Sequence, residues 1–250
     1  MVGSVERYLL DKIKADGTIH MTLIDPEKVT PKAAAKVAES SKNSGTAAIM
    51  IGGSTVASQK QLDDVVKAIK TVVDTPTILF PGNVSGISCY ADAIWFMSML
   101  NSTDPYFLMG AQILGAPYIK KFHIEPIPMG YVIVGDGGTA GRVGKALPVP
   151  YSKPTLAADH ALAGQYLGMR FIYLEGGSGV ATPVPPELIR EVREAIDVPL
   201  IVGGGIRTKE AAIAAAEAGA DIIVTGNLTE ASEANERISQ IIQAIKYPRA

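Results

Sequence analysis

Cysteine occurs once in these 250 residues, at Cys89, which excludes an internal disulfide framework and any cysteine-based metal centre. Histidine is nearly as scarce. His20, His123 and His160 stand apart, with no i, i+4 pair, so no zinc site is expected. His20 reads first as a hydrogen-bonded core histidine and second as a ring turned into the fold near Asp25. Basic residues number 23 against 25 acidic ones, a net charge of −2, which leaves no cationic face for nucleic acid. No apolar run approaches the roughly 20 residues that span a bilayer, and no secretory leader, basic amphipathic helix or lipidation motif is present. The expectation is a cytoplasmic protein without an integral membrane segment. The dinucleotide fingerprint is missing too: after Gly203-Gly204-Gly205 its last glycine would fall at position 208, where Thr208 stands. Ser178, between Gly177 and Gly179, has neither a nucleophile-elbow pattern nor a plausible base, which disfavours acyl transfer.

What is abundant is apolar residues, 47% of the chain, and glycine, with 25. That composition suits one soluble domain, 1–250, with a large core. Short apolar runs alternate with helix-like segments. The expected strands are Ile19–Ile24, Ala47–Ile51, Thr77–Phe80, Tyr106–Met109, Gly130–Val134, Phe171–Leu174, Leu200–Val202 and Ile222–Val224. Helices are expected over Pro31–Ser44, Gln59–Val73, Pro154–Leu167, Pro186–Ala195, Lys209–Ala218 and Glu230–Ile245. Eight strands in such alternation make an α/β fold, a (β/α)8 TIM barrel with a phosphate-binding site at its C-terminal face. A doubly wound sheet is the alternative, since alternation does not prove closure. The segment Pro81–Ser88 is too rich in proline and glycine to start a helix promptly. The stretch from Gly135 to Pro154 reads as a long loop, hence a lid or a subunit contact.

Polar and glycine residues follow the strands. Tyr173-Leu174-Glu175-Gly176-Gly177-Ser178-Gly179, Gly203-Gly204-Gly205 and Thr225-Gly226-Asn227 look like one phosphate cradle, because a backbone that wraps an anion needs residues without Cβ. Plain strand-to-helix turns are the bland alternative. An anion site has no use for a carboxylate, so Glu175 either does chemistry beside the phosphate or is paired structurally. Asp25 is a metal ligand or an Asx turn ahead of Pro26. Ser54, in the matching turn of the next unit, offers a second hard oxygen and tilts the reading toward Mg²⁺, which takes one or two protein oxygens when substrate phosphates supply the rest. The dense apolar stretch Tyr90–Leu100, with the only tryptophan, reads as a packed helix or as the wall of a hydrocarbon groove that Tyr106, Phe107 and Tyr118 extend.

Several of these motifs together, Leu23-Ile24-Asp25-Pro26-Glu27-Lys28, Gly52-Gly53-Ser54-Thr55, Leu79-Phe80-Pro81-Gly82-Asn83, Phe96–Ser102, Pro128–Tyr131 and Tyr173–Gly179, resemble those of the geranylgeranylglyceryl phosphate synthases. These are archaeal ether-lipid prenyltransferases with bacterial heptaprenyl relatives. The resemblance covers nearly the whole chain. It implies transfer of a geranylgeranyl group from its diphosphate to the 3-hydroxyl of sn-glycerol 1-phosphate, with a heptaprenyl donor or a different phosphate-barrel isomerase or aldolase as alternatives. It also implies Mg²⁺ on Asp25 and Ser54, and glycerol 1-phosphate held by Tyr173 to Gly179, Gly203, Gly204, Gly226 and Asn227. Glu175 would bind or deprotonate the attacking hydroxyl. A homo-oligomer, dimer or hexamer, is implied as well. Some hexameric members use an aromatic in the loop spanning 137–144, where this chain has Arg142, a departure that puts a hexamer in doubt without excluding it.

Overall fold

The computed structural model describes residues 2–53, 58–226 and 232–245. Eight parallel strands close into a barrel in sequence order: β1 Ile19–Ile24, β2 Ala48–Gly53, β3 Thr77–Pro81, β4 Ala93–Met99, β5 Glu125–Ile133, β6 Phe171–Glu175, β7 Leu200–Gly203 and β8 Ile222–Thr225. Closure is made by β8 on β1, with Ile19 opposite Ile222 and Thr22 opposite Thr225. The expected (β/α)8 barrel is therefore the observed fold.

Alternation along each strand sorts the core into an inner and an outer layer. Met21, Met50, Trp95, Met129, Phe171 and Ile201 fill the interior. Ile24, Ile49, Leu79 and Ile94 on one half, and Val132, Ile172, Leu174 and Val202 on the other, face outward against helices. The helices are α1 Ser4–Asp16, α2 Pro31–Ser44, α3 Gln59–Lys70, α4 Ala111–Phe122, α5 Gly138–Val143, α6 Pro154–Tyr166, α7 Pro186–Ala195, α8 Lys209–Glu217 and α9 Ser232–Ile245. Their ends follow local chemistry. Helix α2 starts at Thr30, whose hydroxyl accepts from the Ala33 N–H, with Pro31 in the first turn, and ends at Gly45 in the left-handed region.

Two expectations are corrected here. The fourth strand is Ala93–Met99, not Tyr106–Met109; the latter segment lies in a π-helical turn, Tyr106–Gly110, that leads into α4. A barrel strand buried on both faces shows no alternation, so Ala93–Met99 looks like a helix from its sequence. The aromatic run Tyr106-Phe107 looks like a strand, but Asp104 overrides it: its carboxylate accepts from the Tyr106 N–H at 2.9 Å and starts the turn. The stretch 135–154 is not structureless either, since α5 lies inside it. The prolines and glycines after Thr77–Pro81 act as expected, and residues 82–92 carry no helix.

Helix α1 closes the N-terminal mouth, with Val5 and Leu9 in the interior cluster. Glu125 at the start of β5 caps it by accepting from the Val5 and Glu6 N–H groups, both at 2.8 Å. Glu6 itself is buried and paired with Arg170 through two contacts, 2.5 Å to Nε and 2.7 Å to Nη2. Replacing Arg170 with leucine leaves that carboxylate buried without its partner. Because the arginine is partly exposed, the expected loss is about 3 kcal/mol, at the lower end for a broken buried pair. Urea unfolding tests this; a midpoint unchanged from the parent would show that the pair is idle.

His20 belongs to the outer layer. Its ring nitrogens lie 2.9 Å from Thr46 Oγ1 and 2.8 Å from Thr225 Oγ1, and burial pushes its pKa down to about 3. It is the core histidine of the first reading and does not face Asp25's turn.

Candidate active site

The C-terminal ends of the strands carry two adjoining cavities. The smaller, about 150 Å³, is walled by Tyr173, Ser178, Gly179, Gly204, Gly205, Arg207, Thr225 and Gly226. It joins the turn after β6 to the turns after β7 and β8, the positions where such barrels hold phosphate. The backbone from Gly204 and Gly205 runs on into the amino end of α8, which favours an anion.

Glycine is required in these turns by close approach rather than by flexibility alone. Gly204 has φ +88°, and a Cβ there would sit 2.6 Å from the Gly177 nitrogen and 2.8 Å from Glu175 Oε1. A Cβ on Gly203 would fall 2.0 Å from the Tyr173 hydroxyl. Gly176 ties the two turns together by donating to the Gly203 carbonyl at 3.0 Å. Of the residues expected to hold the phosphate, Tyr173, Glu175, Ser178, Gly179, Gly204 and Gly226 line this cavity, Gly176, Gly177 and Gly203 lie in the turns without lining it, and the Leu174 side chain packs in the outer layer. Asn227 and Ser54 lie outside the described residues.

The larger cavity, about 360 Å³, is a mostly apolar groove within the roughly 300–1,000 Å³ typical of small-molecule sites. It begins at Asp25, Gly53 and Glu175, passes Phe80, Trp95 and Tyr131, and leaves the barrel between β4 and α4, where Phe96, Gly115 and Ile119 line it. The helix missing after β3 explains the opening. Without it the outer face of β3 and β4 is shared by α3, the 82–92 loop and α4, and Val84 and Ile87 from that loop border the slot. The apolar stretch around Trp95 is thus both barrel core and groove wall, carried by a strand.

Glu175 lines both cavities. Only 6% exposed, its carboxylate accepts from the Gly177 N–H at 2.7 Å and from the Tyr131 hydroxyl at 3.1 Å. Burial pushes its pKa above a glutamate's ordinary 4.5, and the bonds from Gly177, Tyr131 and Tyr173 hold it back. The Tyr131 and Tyr173 hydroxyls are pushed well above 10 by the same burial and by Glu175, so both stay protonated donors. Phe80 stacks on Tyr173 at 5.5 Å and meets Tyr131 edge-on at 5.5 Å, which fixes both rings. Tyr131 was not singled out as a site residue from sequence. Its signals are the Pro128–Tyr131 motif and its place on β5, where it pairs in register with Tyr173.

Asp25 makes the Asx turn that its motif offers. Oδ1 accepts from the Glu27 N–H at 3.1 Å, an Asx turn, while Oδ2 lies 2.7 Å from Lys28 Nζ. A Cβ on Gly53 would press within 2.9 Å of this carboxyl, so glycine keeps the space beside it open. Among the described residues no three acidic, histidine or cysteine side chains converge. One carboxylate on the groove wall fits a hard cation that takes its remaining oxygens from a diphosphate and water.

The PcrB family matches residues 11–245. The chain belongs to that family. It is 55% identical to the geranylgeranylglyceryl phosphate synthase of Thermococcus gammatolerans, over 98% of this chain and 96% of that protein. It is 53% identical to that of Pyrococcus abyssi, over 98% and 99%. The crystal structure of (S)-3-O-geranylgeranylglyceryl phosphate synthase from Thermoplasma acidophilum, in complex with substrate sn-glycerol-1-phosphate, superposes with a TM-score of 0.93 at 44% identity, covering 98% of this chain and 99% of that one. A Legionella pneumophila tryptophan synthase alpha chain, 16% identical with a TM-score of 0.61, shares the barrel alone.

Proposed function

We infer that this chain is a prenyltransferase that joins the geranylgeranyl group of geranylgeranyl diphosphate to the 3-hydroxyl of sn-glycerol 1-phosphate, with release of diphosphate, in membrane ether-lipid synthesis. One observation carries the reading: a small anion pocket and a long apolar groove meet at a single buried carboxylate, Glu175. The relatives named above support the assignment of substrates. An isomerase or aldolase acting on a small sugar phosphate has no use for the groove.

In the reaction the glycerol oxygen forms a bond to the allylic carbon as the bond from that carbon to the diphosphate oxygen breaks. The electron pair leaves with the diphosphate, and the hydroxyl proton passes to Glu175. Tyr131 and the Gly177 N–H fix the carboxylate, and the turns at 176–179 and 203–205 hold the phosphate so that the hydroxyl stays in place. The hydroxyl becomes acidic as it bonds to carbon, so a carboxylate suffices as base. Phe80 and Tyr131 border the inner end of the groove, where their π-systems favour developing allylic cation. Asp25 and Ser54 are the residues assigned to Mg²⁺, which when bound supplies Lewis-acid stabilisation of the leaving diphosphate. Among the described residues no helix is long and apolar enough to cross a membrane, and a cytoplasmic enzyme meeting its lipid substrate through the groove is the accompanying reading. A homo-oligomer belongs to the same reading, supported by the exposed apolar face of Met109, Ile113, Leu114 and Tyr118.

Incubation with radiolabelled geranylgeranyl diphosphate and sn-glycerol 1-phosphate, with Mg²⁺ or with chelator, tests the assignment. Metal-dependent ether product is expected, and less of it from a heptaprenyl donor. No product from either donor would overturn the reading.

The pH profile follows from Glu175. Its carboxylate must be ionised to accept the proton, and burial raises its pKa, so activity falls as pH drops through that raised value. The acid limb of kcat/KM is expected above 4.5. Tyr131→Phe removes a donor that favours the ionised form and should move the limb to higher pH. A limb that stays in place in this variant would detach Tyr131 from Glu175.

A further inference from the structure

We propose that Lys28 is a direct ligand of the prenyl donor's diphosphate, held on Asp25 until a metal ion takes that carboxylate. The inference rests on the prenyltransferase reading above. Among the described residues, three charged side chains line the groove: Asp25, Glu175 and Lys28. Lys28 is thus the one cation there, beside two carboxylates that would repel a diphosphate. A single divalent ion offsets only part of the charge on that leaving group, which grows as the allylic bond breaks.

Lys28 is placed to supply the rest. Its ammonium lies 2.7 Å from Asp25 Oδ2, at the groove end where the metal reading also puts the donor's diphosphate. The lysine side chain is 62% exposed, so its pair with Asp25 is worth no more than about 1 kcal/mol and breaks readily. The other oxygen of Asp25 accepts from the Glu27 N–H, and Oδ2 carries the ammonium, so a metal ion that binds this carboxylate through Oδ2 competes with Lys28. A lysine also reaches on a flexible stem with rotatable donors, which suits a charge that must move from carboxylate to phosphate.

The proposal makes two effects of opposite sign from one substitution, Lys28→Met. Binding of Mn²⁺ alone, followed by its paramagnetic resonance signal, should tighten severalfold, because a competitor for Asp25 is gone. Binding of inorganic diphosphate to the Mn²⁺-loaded protein, followed by calorimetry, should weaken about tenfold or more, the range for a charged hydrogen bond. Affinity for sn-glycerol 1-phosphate should not change, since Lys28 does not line that pocket. Diphosphate affinity equal to the parent's would overturn the role of Lys28, and unchanged Mn²⁺ affinity would overturn the competition for Asp25. If the parent protein itself fails to bind Mn²⁺ with diphosphate, the metal-dependent reading fails first and the proposal with it. Lys28→Arg should restore diphosphate binding in large part.

Discussion

Glu175→Gln lowers kcat by about 10²–10⁴-fold, the usual contribution of a positioned base, and leaves sn-glycerol 1-phosphate affinity within a few-fold of the parent. The amide keeps the shape; its one oxygen can accept from the Gly177 N–H, a 2.7 Å contact in the parent, while its NH2 can donate to the Tyr131 oxygen, 3.1 Å from the carboxylate in the parent. What it cannot do is take a proton. In the proposed arrangement the turns after β6, β7 and β8 hold the phosphate, so binding and chemistry should separate in this variant. Steady-state kinetics with calorimetric binding decide the matter. Unchanged turnover would remove Glu175 from the mechanism, and a lost binding signal would make it a structural prop of the cradle.

Gly204→Ala is expected to damage both functions at once. At φ +88° a side chain is strained, at a cost of about 1–3 kcal/mol, and the added methyl would press on the Gly176 and Gly177 nitrogens and on Glu175 itself. None of these neighbours is a flexible side-chain end that could swing away freely; two are backbone and the third is the buried carboxylate. The β6 turn must therefore move. A displacement of about 1 Å at a reacting group costs on the order of 10²-fold. The variant should bind sn-glycerol 1-phosphate weakly and lose at least that factor in kcat/KM, with a measurably lower unfolding midpoint. Parental kinetics would mean that the three turns do not act as one cradle.

The barrel and the meeting of its glycine turns were legible because their signals are local. Glycine clusters after short apolar runs mark strand ends wherever backbone must approach backbone, and Gly204 meets Gly177 while Gly203 meets Gly176 as that logic demands. Helix α7 could be bounded to the residue, since Pro186 opens it and its apolar face repeats at helical spacing. Strand β4 could not. Its residues face the interior on one side and the groove or outer core on the other, so the period that separates strand from helix is absent. The groove was foreseen as a surface but not as a path, because it exists only where β4, α4 and the helix-free 82–92 loop come together. The role of Tyr131 was illegible for a related reason: its motif, Pro128–Tyr131, carries no mark of the carboxylate that the tyrosine meets 44 residues later.

The most direct test of the junction is a crystal structure of the Glu175→Gln variant with sn-glycerol 1-phosphate and a non-reactive thio-analogue of geranylgeranyl diphosphate. The account predicts phosphate among Gly179, Gly204, Gly205 and Gly226, the prenyl chain between β4 and α4, and the glycerol 3-hydroxyl within hydrogen-bond reach of residue 175 and next to the allylic carbon. A glycerol phosphate bound away from residue 175, or a prenyl chain outside the groove, would contradict it.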